Sequence, residues 1–156
     1  MARAIDVANY LIYLQNRDSE HGQYFSLSNL KLQKIMYYCQ GGHYKWDSER
    51  LIDDNLFEAW QYGPVISEVY FQYKHFGQND IKLAHIPNED YFNSVFSENE
   101  IETIDAIWDQ LKDYSAFDLV ESSHNELPWL EARKNSSSTI NEDTIEQFFA
   151  EESEGF

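Results

Sequence analysis

The sequence predicts a mostly α-helical protein, a single compact domain of about six helices with room for a small β-hairpin ahead of a Gly-Pro corner. Three observations carry this. Apolar residues recur at helical spacing along much of the chain, as in Ile101, Ile104, Trp108 and Leu111, which lines them up on one face of a helix. A serine followed three residues later by an acid marks a helix start, at Ser97/Glu100 and again at Ser115/Asp118, because each side chain can satisfy a backbone N–H of the other. Finally, 156 residues of which 42% are hydrophobic suffice for one core that needs no metal or disulfide staple.

In chain order, Ile5, Ala8, Leu11 and Ile12 mark one face of a first helix, and the polar stretch from Asn16 to Gly22 is expected to end it as a loop. Ser28 is positioned to cap a second helix with Leu32, Ile35, Met36 and Cys39 as its buried stripe and Gly41-Gly42 as its terminator. Lys31 and Lys34 fall toward the polar face of that helix and are expected in solvent. From Trp46 to Tyr62 the helical period fades. Leu51-Ile52, the turn-like Asp53-Asp54-Asn55 and the run from Phe57 to Tyr62 fit a short hairpin.

The run from Glu58 to Tyr70 then turns an aromatic-rich extended piece into a helix through Gly63-Pro64. Proline fixes its own φ near a helical value and lacks an N–H, so Pro64 is expected as the first helical residue. Gly63 suits the corner because it can adopt dihedrals closed to other residues. Val65, Val69, Tyr73 and Phe76 recur at helical spacing beyond it, and Gly77 supplies a stop. This corner has two readings, a buried packing element or a binding surface built on Trp60, Tyr62, Val65 and Tyr70. Ile81 and Leu83 alternate with polar neighbours as a further extended piece or a loop.

Glu102, Asp105, Asp109 and Asp113 give the helix after Ser97 an acidic outer surface. A short helix through Leu119 and Val120 follows, and Pro128 opens another that carries Trp129. Ile140 before Asn141, with Ile145 beyond it, has the pattern of a hydrophobic staple closing a last helix. These elements form one domain over residues 1–150, and residues 151–156 read as an acidic flexible tail.

The formal charge of −17 and pI near 4.4 repel nucleic-acid phosphates and anionic lipid and favour encounter with basic partners. No stretch approaches membrane-spanning length and the start has no signal-peptide core, so no membrane and no nucleic-acid partner is expected, and the location is expected to be cytoplasmic. The sequence contains no phosphate-binding loop, no dinucleotide fingerprint and no nucleophile elbow. Cys39 and His43 are four apart, but Gly41-Gly42 between them is expected to break the helix, which leaves Cys39 a buried inert thiol. The histidines show no zinc-ligand spacing. The expectation is no enzyme, no metal and no cofactor.

The run from Glu58 to Tyr70 resembles the signature of the Panacea domain family, which is known mostly from antitoxins and phage-associated proteins. Three further stretches fit in order: Asp6 to Leu11, Leu30 to Gly41, and His124-Asn125-Glu126-Leu127-Pro128-Trp129. In the last, His124, Pro128 and Trp129 match a family pattern without gaps; His124 either hydrogen-bonds the Gly63-Pro64 corner with Trp129 packed beneath or only satisfies a buried backbone carbonyl, and in both cases the two segments are expected to meet. The resemblance implies an antitoxin that binds and neutralises a cognate protein toxin, or an adaptor that delivers the toxin to a cellular protease. Partner-binding residues are then expected among Trp60, Tyr62, Gly63, Pro64, Val65, Tyr70, His124, Pro128 and Trp129. The alternative is an acidic phage or mobile-element protein that mimics DNA and sequesters a basic host factor through Glu102, Asp105 and Asp109. Oligomeric state is open, since exposed aromatics serve self-association as readily as a foreign partner.

Overall fold

A computed structural model of the chain describes residues 1–151, and the predicted tail beyond Glu151 lies outside them. The architecture follows from one helix that is buried on every side. This is α2 (Asn29–Asp47), and each of its residues from Lys31 to Tyr44 is buried. Around it pack α1 (Ala4–Glu20), α5 (Glu98–Leu111), α6 (Ala116–His124), α8 (Glu142–Glu151) and a small hairpin of β1 (Glu58–Trp60) and β2 (Gly63–Val65). The remaining helices, α3 (Ser67–Gln72), α4 (Glu89–Val95) and α7 (Leu127–Lys134), together with a 3-10 turn at Lys74–Phe76, close the outer layer. Among the described residues there are therefore eight α-helices and one two-stranded antiparallel sheet.

Most of the predicted signals work as read. The Ser28 hydroxyl accepts from Lys31 N, both serine-acid boxes are closed in both directions at Ser97/Glu100 and Ser115/Asp118, and the Asn141 side chain accepts from Thr144 N. Ile140 and Ile145 are both buried, as a staple requires. Pro128 sits in the first turn of α7, where its missing N–H costs nothing.

Five expectations need correction. The polar stretch from Asn16 does not end α1, which continues to Glu20 because Gln15 and Asp18 turn inward and Asp18 accepts the indole N–H of Trp108 at 2.8 Å. Gly41-Gly42 does not terminate α2. These glycines instead let neighbours approach: a Cβ on Gly41 would lie 2.5 Å from the Phe149 ring, and one on Gly42 would lie 2.9 Å from Ile107. Lys31 and Lys34 are not in solvent but fully buried. Pro64 is not helical; it lies in β2, and α3 begins at Ser67 after an extended Ile66. Asp105 belongs only partly to the acidic surface, because it is half-buried and accepts the Tyr10 hydroxyl at 2.7 Å.

The hairpin also lies later than the fading period suggested. Glu58 pairs with Val65 and Trp60 with Gly63 across Gln61-Tyr62, while Ile52 only bridges Ala2. The outer side of β1 is occupied as well: Ala59 N donates to Ser138 O and Ile140 N to Phe57 O. A two-stranded ribbon is marginal alone, and this one is held from both sides. Ile81 and Leu83 form no strand; Ile81 N donates to Leu27 O from a loop.

The glycine contacts generate a stability prediction. Gly41→Ala gains about 1 kcal/mol of helix propensity but drives a methyl into a core ring, which costs about 1–3 kcal/mol or more. Urea unfolding should show a net loss of about 1–2 kcal/mol, and Phe149→Leu placed in the Gly41→Ala background should recover part of it. A Gly41→Ala protein as stable as the parent would refute this account of the packing.

Candidate partner-binding corner

The hairpin and its surroundings bring the predicted residues together, but in two distinct roles. Gly63 has φ +104°, and a Cβ there would meet Lys34 Cε at 2.7 Å and Ser123 Oγ at 2.8 Å. Backbone dihedral and lack of space both demand glycine. Pro64 offers only its carbonyl, which accepts from the buried Lys34 ammonium at 2.7 Å. Burial pushes the Lys34 pKa down to about 7. Beside it, Gln33 Oε1 accepts from Ile66 N at 2.9 Å, Gln33 Nε2 donates to Asn29 Oδ1, and Asn29 Nδ2 donates to Tyr70 O at 3.0 Å. The start of α2 thus grips the corner through side chain to main chain bonds over its whole length from Pro64 to Tyr70.

The second segment meets the corner from the other side. Trp129 Nε1 donates to Trp60 O at 2.8 Å, and Arg133 Nη1 donates to Ala59 O at 3.0 Å with its guanidinium over the Trp129 ring. His124 does not hydrogen-bond the corner. It is the last residue of α6, and its ring lies flat on Trp129, centroids 4.0 Å apart. Stacking sets the histidine's orientation, and the indole makes the polar contact. Pro128 is buried beneath. Gly63, Pro64, His124, Pro128 and Trp129 are accordingly the frame.

Trp60, Tyr62 and Tyr70 are the display. Tyr62, at the hairpin tip, is 53% exposed, and Trp60 and Tyr70 are half-buried with ring centroids 4.9 Å apart. Trp60 is steadied by its own strand, since Nε1 donates to Glu58 Oε1 at 3.0 Å. These rings, with Val65, wall a groove of about 440 Å³ whose lining also includes Asn29, Leu30, Gln33, Gln61, Lys74 and Gln78. Phe71 extends the aromatic surface past the groove: it is 60% exposed and lies 5.4 Å from Tyr70 and 6.2 Å from Trp60.

Sequence reasoning missed Phe71, Asn29, Gln33 and Lys34. Phe71 could have been found, because it falls off the stripe of Val65, Val69 and Tyr73 and so had to face outward. The polar residues of α2 carried no such signal, since lysine and glutamine on a helix ordinarily mean solvent.

Because α2 is continuous, Cys39 and His43 do share a face, but burial pushes the Cys39 thiol far above its ordinary range, the reverse of an activated nucleophile. His43 Nδ1 is bound to Thr103 at 2.8 Å, and burial lowers its pKa. Among the described residues no cluster of His, Cys, Asp and Glu could hold a metal ion, and no helix is long and apolar enough to cross a membrane.

The geometry therefore defines a helical domain whose framed hairpin presents aromatic side chains. The family model of the SocA-like antitoxin, Panacea domain, matches residues 32–130, more than half of the chain, and the chain belongs to that family. No curated protein and no solved structure matches it. The matched region starts in the buried stripe of α2, contains the whole hairpin and ends just past Trp129.

The buried lysine gives this site a pH signature. Between the folded value near 7 and the ordinary lysine value, the unfolded chain binds a proton that the folded chain does not, so stability rises with pH across that window. From pH 7 to pH 9 the parent should gain roughly 1 kcal/mol per pH unit over Lys34→Met. Unfolding free energies of the two proteins measured across that range test this; parallel curves would show that Lys34 stays charged in the fold.

Proposed function

We propose that this chain is an antitoxin that neutralises a cognate protein toxin by direct, stoichiometric binding in the cytoplasm, with no reaction performed. The observation that carries the reading is the exposed aromatic set of Tyr62 and Phe71 beside Trp60 and Tyr70, on a hairpin fixed from two sides and the α3 helix that follows it, in a chain of the SocA-like antitoxin family. Aromatic anchors on a rigid support lose little freedom on binding and concentrate affinity in a few residues. The charge of −17 adds a long-range attraction to a basic toxin that sets encounter rate more than affinity.

Delivery of the toxin to a cellular protease needs a second surface. Phe117 on α6 and Leu127 and Leu130 on α7 supply a candidate, being 69%, 52% and 43% exposed. The DNA-mimic alternative is weakened by the partial burial of Asp105, which leaves Glu102 and Asp109 of its three carboxylates exposed.

Co-expression with the product of a neighbouring open reading frame that is toxic when expressed alone tests the proposal. Wild-type protein should restore growth, and Tyr62→Ala or Phe71→Ala, folded as judged by circular dichroism, should weaken toxin binding by roughly 30-fold or more, as loss of a hot-spot residue does. Full rescue by a Tyr62→Ala/Phe71→Ala double variant would remove the corner from the interface.

A further inference from the structure

The groove beside Tyr62 differs in charge from the protein around it. The chain has 28 Asp and Glu against 11 Lys and Arg, yet no carboxylate lines this groove and its one charged side chain is Lys74. Lys74 makes no ion pair among the described residues, and its ammonium lies 5.7 Å from the Phe71 ring centroid. The other polar liners are carboxamides: Asn29, Gln33, Gln61 and Gln78. A carboxamide offers one acceptor and two donors, which matches the C=O and N–H of a peptide unit. The fold already uses this match internally, since Gln40 donates to Ile52 O at 3.0 Å and accepts from Ile52 N at 2.7 Å.

We infer that this groove takes an extended segment of the partner polypeptide that carries a bulky apolar side chain and, next to it, a carboxylate that pairs with Lys74. The volume of about 440 Å³ is within the range of formed ligand sites and suits one large side chain with its adjoining main chain. A small ligand would leave Tyr62 and Phe71 uncovered at the rim, whereas a polypeptide continues over both. Trp60 and Tyr70 supply the apolar walls, and the exposed Gln61 and Gln78 carboxamides read the main chain, those of Asn29 and Gln33 being already bound within the corner. The assignment deepens the antitoxin reading and rests on it for the identity of the partner. It runs against the overall charge: the body attracts basic proteins at long range, while the one charged side chain that lines the groove is positive.

Four peptides titrated into the full chain, with NMR shifts of the Tyr62 backbone and the Gln61 and Gln78 carboxamides as the readout, decide it. They are acetyl-Gly-Gly-Leu-Phe as free acid and as amide, acetyl-Gly-Gly-Asp-Phe amide and acetyl-Gly-Gly-Lys-Phe amide. At least one carboxylate peptide should bind about fivefold tighter than the neutral amide, the size of one exposed charge contact, and the free acid and the Asp peptide distinguish a chain terminus from an acidic side chain. Lys74→Met should erase the preference, and Tyr62→Ala should weaken all four. Equal binding by all peptides, tightest binding by the Lys peptide, or shifts away from the groove would overturn the assignment. Rescue lost in Tyr62→Ala without any carboxylate preference would sink the groove assignment and leave the toxin reading standing. A carboxylate preference with rescue unaffected in Tyr62→Ala would leave the groove's peptide preference standing and remove the groove from the toxin interface.

Discussion

The structure depends on a central helix whose buried polar side chains serve the backbones of the loops around it. In an α/β protein an irregular segment can borrow hydrogen bonds from a neighbouring strand; a helix has none to lend from its main chain, because its own ladder uses them. In α2 the side chains do this instead. Lys31 binds Lys112 O, Gln33 binds Ile66 N, Lys34 binds Pro64 O, and Gln40 binds both main-chain groups of Ile52. Each bond contributes about 1 kcal/mol net, but removing the helix partner would strand a buried carbonyl or amide at a cost of about 1–3 kcal/mol. The loops therefore have few alternatives to the places they occupy.

This arrangement explains why the corner can be both irregular and rigid. A three-residue strand, a left-handed glycine and an extended Ile66 would be mobile on a surface of apolar side chains, which hold by area and not by direction. Directional bonds from Asn29, Gln33 and Lys34 below and from Trp129 and Arg133 beside fix the backbone while leaving the outward rings of Trp60, Tyr62 and Tyr70 free to meet a partner. Lys34 is the costly member. Its desolvation is offset by the Pro64 carbonyl and by the ease with which a lysine sheds its proton when buried.

How much of this was legible in the sequence follows the same division. Caps and stripes are local signals, so α5, α6 and α8 could be placed from Ser97, Ser115 and Asn141 before any contact was known. The meeting of the His124–Trp129 stretch with the hairpin was legible from the signature pattern, but which residue bonds was not: histidine and tryptophan both carry ring N–H groups, and only the end of α6 at His124 decides that the imidazole stacks while the indole reaches Trp60 O. Gly41-Gly42 misled for a physical reason. Glycine weakens a helix equally whether it stands at an end or under a packed ring, so the pair marks a close approach only once Phe149 and Ile107 are known to lie over it. Lys31 and Lys34 misled because amphipathic periodicity assumes that polar means outward, and a helix surrounded by loops inverts that assumption.

The inversion bears on what kind of surface this family can present. Because the signature residues Gly63, Pro64, Pro128 and Trp129 are occupied by intramolecular bonds and close packing, they specify a hairpin position and say nothing of what the hairpin touches. On the proposed reading, recognition would fall to side chains that the frame does not use: Tyr62 at the tip, Phe71 on the outward face of α3, and the Lys74 and Gln78 side chains beyond it. These can change without disturbing a single hydrogen bond to α2, since none of them makes one. A scaffold whose fold and contacts are carried by separate residues can keep one backbone while meeting partners of unrelated shape, and that separation is built into the corner residue by residue.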